Sequence, residues 1–528
     1  MRILAPASLG NSRNRSLVSI AAFLVAIFAA YWTAEVILGG NLERLALVAL
    51  GLAGAAFAVA VLNDWRRGVY LFFTWLLFED LFRKFLGNNM AIYFAKDTLL
   101  AGVYLSFFRA WRRGKVTSFR PPFLGPLLIF AWFCVMQIFN PVSPHIAFGV
   151  LGVKLFFYYA PLVVLGYAFV DSEIELRRFF TLNLLLVLVI ACLGLAQSII
   201  GPSFLNPARL PDDLRELSSL YRVAPISGAI AYRPTSVFVS GGRFANFLIV
   251  SWLVVLGFGG YLLLRHKQGR LLVFAATGSV AAAIVMCASR GALMWSLGSS
   301  LVAVAAFIWG APWRQGEVRR IVRALQRAAV AVGFSVLFLL IAFPAALEGR
   351  VAIYLETLSP SSSASELTWR ARDYPIKAFM LAFDSPRWLY GTGIGTTGLG
   401  GQYVSRFFHV KAIRGVESGY GTLVFELGIG GLLLWLVMSA SLIISAWAVV
   451  KKLRGTPWFP LGFMIFWYAF LLLFPITFAS MVAYEDFVLN AYLWVLLGIL
   501  FRLPTLPLSA QNASGATLPN SSLRHRGP

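Results

Sequence analysis

The chain has 528 residues, of which 59% are apolar, 15% aromatic and only 13% charged, and it carries a net charge of +23. Apolar runs of about 18 or more residues recur along it, each long enough to cross a hydrocarbon core of roughly 30 Å, which excludes a water-soluble globular fold and a barrel of short alternating strands. The basic residues fall mostly in short loops between these runs, which argues against a nucleic-acid partner, and three cysteines and four histidines in no recognisable spacing argue against a zinc site or a disulfide frame.

The expectation is an all-α polytopic membrane protein, with residues 1–502 as one integral membrane domain of about fourteen transmembrane helices. They start near residues 17, 45, 69, 91, 123, 147, 179, 244, 271, 292, 328, 418, 458 and 485. The first run, Leu17 to Leu38, follows Arg13 and Arg15 and is too long for a signal-peptide core, so it reads as a retained helix. The loops "NDWRRG", "FRAWRRGKVTSFR", "RHKQGR", "WRQGEVRRIVRALQR" and "KKLRG" alternate with the poorly basic "NLER" and "NPVSPH". The positive-inside rule makes the first set cytoplasmic, together with both termini. The run at 69–85 is the weakest, because Glu79, Asp80, Arg83 and Lys84 crowd its end and make it a re-entrant or interfacial candidate. Lys96, Asp97 and Lys154 lie inside apolar runs, where ionisable groups face a cavity or one another.

Two long loops, at about 201–243 and 348–417, fall on the outer side and are exempt from the charge rule, so their basic residues need another reason. Arg243 stands where the first loop returns to the membrane, behind Gly241 and Gly242. Arg290 lies in "ASRGALM", between two apolar runs joined by almost no loop; an arginine at membrane depth costs about 2.5–3.5 kcal/mol unless it faces water or a partner. Within "GEVRRIVRALQRAAV", residues 318–327 place Val318, Ile321, Val322 and Leu325 on one face and arginines on the rest, an amphipathic helix for the inner leaflet.

The second loop carries Arg350, Arg370, Arg372, Lys377, Arg387, Arg406, Lys411 and Arg414. Arginine-rich surface beside lipid suits an anionic head group, a diphosphate first of all, because planar guanidinium groups bind phosphate oxygens in pairs. Ser363 and Glu366 fit a capping box for a helix interrupted at Pro375. "GTGIGTTGLGG", Gly391 to Gly401, lacks the preceding strand and the Lys-Ser/Thr of a nucleotide loop; it reads as a flexible connector or a wall that lets backbone N–H groups approach a ligand. Glu417 opens the next span, either as a helix-start residue or as a general base, with His409 the rival base. Residues 503–528 are rich in Ser, Asn, Pro and Gly and are expected to be a disordered cytoplasmic tail.

Four stretches in order, "RPTSVFVSGGRFANF", "ASRGALM", "TWRARDYPIKAFMLAFDSPRWLYGTGIG" and "ESGYGTLVFELGIGG", make the chain resemble the O-antigen ligase and polymerase superfamily over about residues 230–435. "NPVSPHIAFGVLGVKLFFYYAPLVVLGYAF" is similar to its exopolysaccharide polymerase side. The resemblance implies a GT-C-like fold in the bacterial inner membrane and metal- and cofactor-independent, inverting transfer of a glycan from undecaprenyl diphosphate to an acceptor glycan at the periplasmic face. It implies diphosphate contacts by Arg290 and by Arg370 or Arg372; Arg243, from its place at the loop's return, is a further diphosphate candidate or a simple interfacial arginine, and membrane lipid and a chain-length regulator are further candidate partners. The ligases carry a histidine where this chain has Glu417, followed by Ser418 and, farther on, Gly428 and Gly431. This departure favours a polymerase of lipid-linked repeat units over a ligase acting on lipid A-core or protein. The rival from another class is a flippase for the same lipid-linked units.

Overall fold

A computed structural model describes residues 63–86, 90–207, 220–224, 226–265, 268–310, 341–358, 373–398 and 415–507, with isolated positions between them. The expected helix at Leu17–Leu38, most of the amphipathic segment 318–327, the capping box at Ser363 and Glu366, Arg370, Arg372 and the tail beyond residue 507 lie outside the described residues.

The helices are α1 (Trp65–Phe85), α2 (Met90–Arg112), α3 (Leu124–Met136), α4 (Ile146–Phe157), α5 (Leu162–Phe169), α6 (Glu173–Ile200), α7 (Gly241–Arg265), α8 (Arg270–Met286), α9 (Arg290–Gly310), α10 (Pro344–Leu358), α11 (Tyr374–Met380), α12 (Gly419–Leu453), α13 (Phe459–Leu471) and α14 (Phe487–Arg502). Among the described residues, seven helical stretches are long and apolar enough to cross a membrane: Ile146–Phe169, α6, α7, α9, α12, Phe459–Ala479 and Phe487–Thr505. Two more, Leu124–Phe139 and α8, are apolar but shorter. This is the architecture of an all-α membrane protein. Among the described residues the strands form one antiparallel hairpin, β1 (Tyr221–Val223) and β2 (Ile230–Tyr232), in register Tyr221 to Tyr232 and Val223 to Ile230.

The chain clusters into two compact units, residues 1–69 with 98–109 and residues 70–97 with 110–528. In the first, a Cβ placed on Gly68 would lie 2.8 Å from Val103 and 3.1 Å from Val61, and Trp65 meets Phe107 edge-on at 5.1 Å. In the second, α14 is apolar on every side and is the most enclosed span, as a helix without a polar face must be. It meets α5 backbone to backbone: a Cβ on Gly498 would fall 2.2 Å from the Val163 carbonyl, and one on Gly166 2.3 Å from that of Val495. Small residues at such crossings let helices gain dispersion contact where lipid offers no hydrophobic drive.

α12 is not continuous. Gly428 takes φ 73° and ψ 178°, which releases carbonyls from the helical ladder. The chain from Trp388 to Gly393 supplies replacements: Thr392 N–H donates to Phe425 O, Gly393 N–H to Glu426 O, and Ile429 N–H to Trp388 O. Irregular backbone inside an apolar helix persists only when neighbouring protein satisfies it in this way.

α1 runs unbroken through the charged cluster that made it the weakest expected span. Glu79, Asp80, Arg83 and Lys84 are all buried, each beside a partner. Pairing lets them sit inside without the cost of an isolated charge.

Candidate functional site: arginines around the turn at 287–289

The hairpin is pinned to the turn between α8 and α9 by its small-residue face. Ala224 and Ala231 pack with Ala288 and Ile353 in one buried cluster. The connecting turn closes through Ala224 N–H to Ala229 O at 2.8 Å, with Gly228 at φ 68°. α10 lies flush on β2, because Gly349 has no side chain to hold it off; a Cβ there would fall 2.5 Å from Ile230 O. The Glu356 carboxylate accepts Ile226 N–H at 3.0 Å and Ser227 N–H at 3.1 Å. Its bonds to Ser227 and Ile226, with a smaller contribution from the Arg290 charge, hold Glu356 below the usual carboxylate range.

Three arginines converge on this turn from separate segments, and a fourth opens the helix after it. Arg350, from α10, is buried; its Nε donates to Met286 O at 2.8 Å and its Nη2 to Tyr232 O at 2.9 Å. Met286 O is among the last carbonyls of α8, which have no intrahelical partner and carry the negative end of the helix dipole. Tyr354 OH serves two more, Ile284 O at 3.2 Å and Val285 O at 3.0 Å. Arg222, from β1, donates Nη1 to Ala288 O at 3.3 Å. Arg233 directly follows β2 and packs against Gly241 at the start of α7. The Arg233 Nε is buried and has no hydrogen-bond partner among the described residues. Burial pulls Arg233 and Arg350 below the usual guanidinium value, yet arginine keeps its charge at any physiological pH. Burial likewise pushes the Cys287 thiol up to about 11, opposed by the charges of Arg233 and Arg350. Arg290 opens α9 three residues beyond Cys287 and is half-buried.

The arrangement gathers guanidinium groups at the ends of two apolar helices. Forks of N–H donors in a partly desolvated setting are what an oxyanion needs. Of the arginines expected from sequence to hold a diphosphate, Arg290 stands in this cluster, and Arg370 and Arg372 lie outside the described residues. Arg243 is engaged elsewhere. Its Nε donates to Asp486 Oδ2 at 2.7 Å, its Nη1 to Asp80 Oδ2, and its guanidinium lies 3.9 Å over the Phe487 ring. Reading the sequence alone missed Arg233 and Arg222. Arg233 stood at the head of a quoted motif, but nothing local marks it off from the interfacial arginine ten residues on.

Arg243 belongs to an ionic network. Asp80 also pairs with Arg83 at 3.1 Å, Lys96 with Glu79 at 3.0 Å, and Lys154 with Asp97 at 2.6 Å. Lys96, Asp97 and Lys154 thus face partners within the protein. Lys84 donates to Thr235 Oγ1 at 2.8 Å and Ser236 O at 2.7 Å, and Gln197 Oε1 accepts the N–H groups of both residues at 2.8 and 2.7 Å. Ser236 has φ 50°, so this clasp fixes a strained segment immediately after Arg233.

The glycine loop has a defined occupant. Glu426, buried within α12, accepts N–H groups from Gly395 and Thr397, both at 2.7 Å, and from Gly398 at 3.2 Å, with Thr397 Oγ1 at 2.7 Å. Backbone N–H groups converging on an anion are the expected use of such a loop, but the anion is a side chain of the same protein. Residues 391–398 are therefore a clasp, and the connector reading does not describe them. Glu417 is exposed and precedes the helix; the N-cap is Ser418, whose Oγ accepts Gly421 N–H at 3.3 Å. His409 is exposed as well, at φ 51°. No protein-family model and no curated protein matches this sequence.

Proposed function

We propose that the protein is a bacterial inner-membrane glycosyltransferase that polymerises undecaprenyl-diphosphate-linked oligosaccharide repeat units into an exported polysaccharide. The observation that supports this reading is the convergence of Arg222, Arg233 and Arg350 on one turn, with Arg290 beginning the helix after it. The donor's diphosphate binds among these guanidinium groups on the periplasmic side. The acceptor hydroxyl oxygen attacks the anomeric carbon of the donor sugar as the bond from that carbon to the phosphate oxygen breaks. Undecaprenyl diphosphate leaves with the electron pair, and the sugar inverts. The hydroxyl proton passes to a base, for which exposed Glu417 is the candidate and His409 the rival. The arginines supply the main stabilisation, because negative charge grows on the leaving group in the transition state; one lost donor of this kind costs about 2.7–4 kcal/mol.

Arg290→Ala tests the reading. Cells carrying it should make no polymer and should accumulate single lipid-linked repeats while the variant stays in the membrane at wild-type amounts. Full-length polymer from that variant would contradict the proposal, and long unattached chains in a deletion strain would point to a ligase. The buried pair Lys96–Glu79 and the half-buried pair Lys154–Asp97 favour one second reading, a flippase, since ionisable groups in apolar helices mark transport paths. Reconstituted protein that moves labelled lipid-linked units without forming glycosidic bonds would establish it.

A further inference from the structure

The β1–β2 hairpin has two unlike faces. Side chains alternate along a strand, so Arg222 and Ala231 point one way and Val223 and Ile230 the other. The first face rests on the turn at 287–289. On the second, Val223 is 57% exposed and Ile230 64%, and Ile226 in the connecting turn is 56% exposed. These aliphatic side chains therefore contribute little to the core. The ribbon is also held firmly, by Glu356 at its turn, Arg350 at its end and Gly349 beneath it. A fixed ribbon that turns valine and isoleucine outward, in a loop otherwise rich in charge, is costly in water and favourable against hydrocarbon.

Resting on the proposed function above, we propose that this outward face receives the first isoprenoid units of the polyprenyl chain of the donor. The donor is an amphiphile, with an anionic head joined directly to an apolar chain. The hairpin offers the matching pair of surfaces within one strand, since Arg222 is flanked by Val223. With the diphosphate among the arginines, the chain leaves over the edge of the ribbon, across Val223 and Ile230, toward the bilayer. The turn beneath the hairpin joins the ends of two apolar helices, which sets the ribbon at the boundary of the hydrocarbon. The protein thereby selects its donor by the lipid as well as by the diphosphate.

The test is the double variant Val223→Ser/Ile230→Ser in nanodiscs, with two readouts. The first is photolabelling by a polyprenyl diphosphate that carries a diazirine in its first isoprene units and no sugar, so that it does not depend on transfer. The label should map to residues 221–232 in the wild-type protein and be lost from them in the variant. The second compares a donor whose diphosphate carries an undecaprenyl chain with a short donor whose diphosphate carries only a methyl group in place of the isoprenoid. The variant should raise KM for the long donor about tenfold, leaving KM for the short donor and both kcat values unchanged. Labelling that bypasses the hairpin, equal labelling by a diazirine phospholipid, or equal loss with both donors would overturn the proposal. Hairpin labelling by a wild-type protein that transfers no glycan would uphold the lipid site and refute the transferase reading, so the two fail separately.

Discussion

Arg350 shows how one side chain can be structural and electrostatic together. Its fork joins the exposed end of the α8 ladder at Met286 O to the end of β2 at Tyr232 O, a task that needs two N–H groups at a fixed angle. Arg350→Ala should lower stability by at least ~2 kcal/mol, because a buried carbonyl loses a charged donor, and Arg350→Lys should recover only part of it. Thermal unfolding in detergent measures both; a wild-type midpoint for Arg350→Ala would contradict the assigned bonds. Arg243 teaches the converse. From sequence it resembles Arg290, an arginine at the mouth of an apolar run, yet Asp80 and Asp486 engage it, and the second of these lies 243 residues away. No local pattern announces such partners. Glu426 escaped notice for a related reason: one carboxylate within "LVFELGIGG" has no sequence feature that reveals the N–H groups of residues 395–398 closing on it.

At the scale of elements, the apolar helices were legible because hydropathy over about 18 residues is a strong signal. The hairpin was not, since three-residue strands fall below any periodicity that can be counted. The glycine loop and the broken helix are one unit, and each accounts for the other. Gly428 needs its positive φ to leave the helical path, and a Cβ there would lie 2.2 Å from Leu389 O. Gly428→Ala should therefore cost ~1–3 kcal/mol in backbone strain and more from the clash. Limited proteolysis should then cut the chain near residues 388–398, which the wild-type protein protects. Unchanged protection would show that the loop holds without the break.

For the whole molecule, a membrane-spanning helical chain was readable from composition and hydropathy, whereas the places where distant segments meet were not. In "RPTSVFVSGGRFANF" and "ASRGALM" the arginines look alike as sequence, and only the fold divides them between two places. Arg243 serves an ionic network; Arg233 has a buried Nε beside Gly241, and its charge, like that of Arg350, acts on Cys287. The central claim is that the arginines around the turn at 287–289 bind a diphosphate. Affinity of purified protein for undecaprenyl diphosphate, measured by native mass spectrometry on the wild type and Arg233→Ala, tests it most directly. The account predicts saturable binding that weakens about tenfold or more in the variant at an unchanged unfolding midpoint, the loss of one charge-assisted contact. Equal affinity in the two proteins would contradict it.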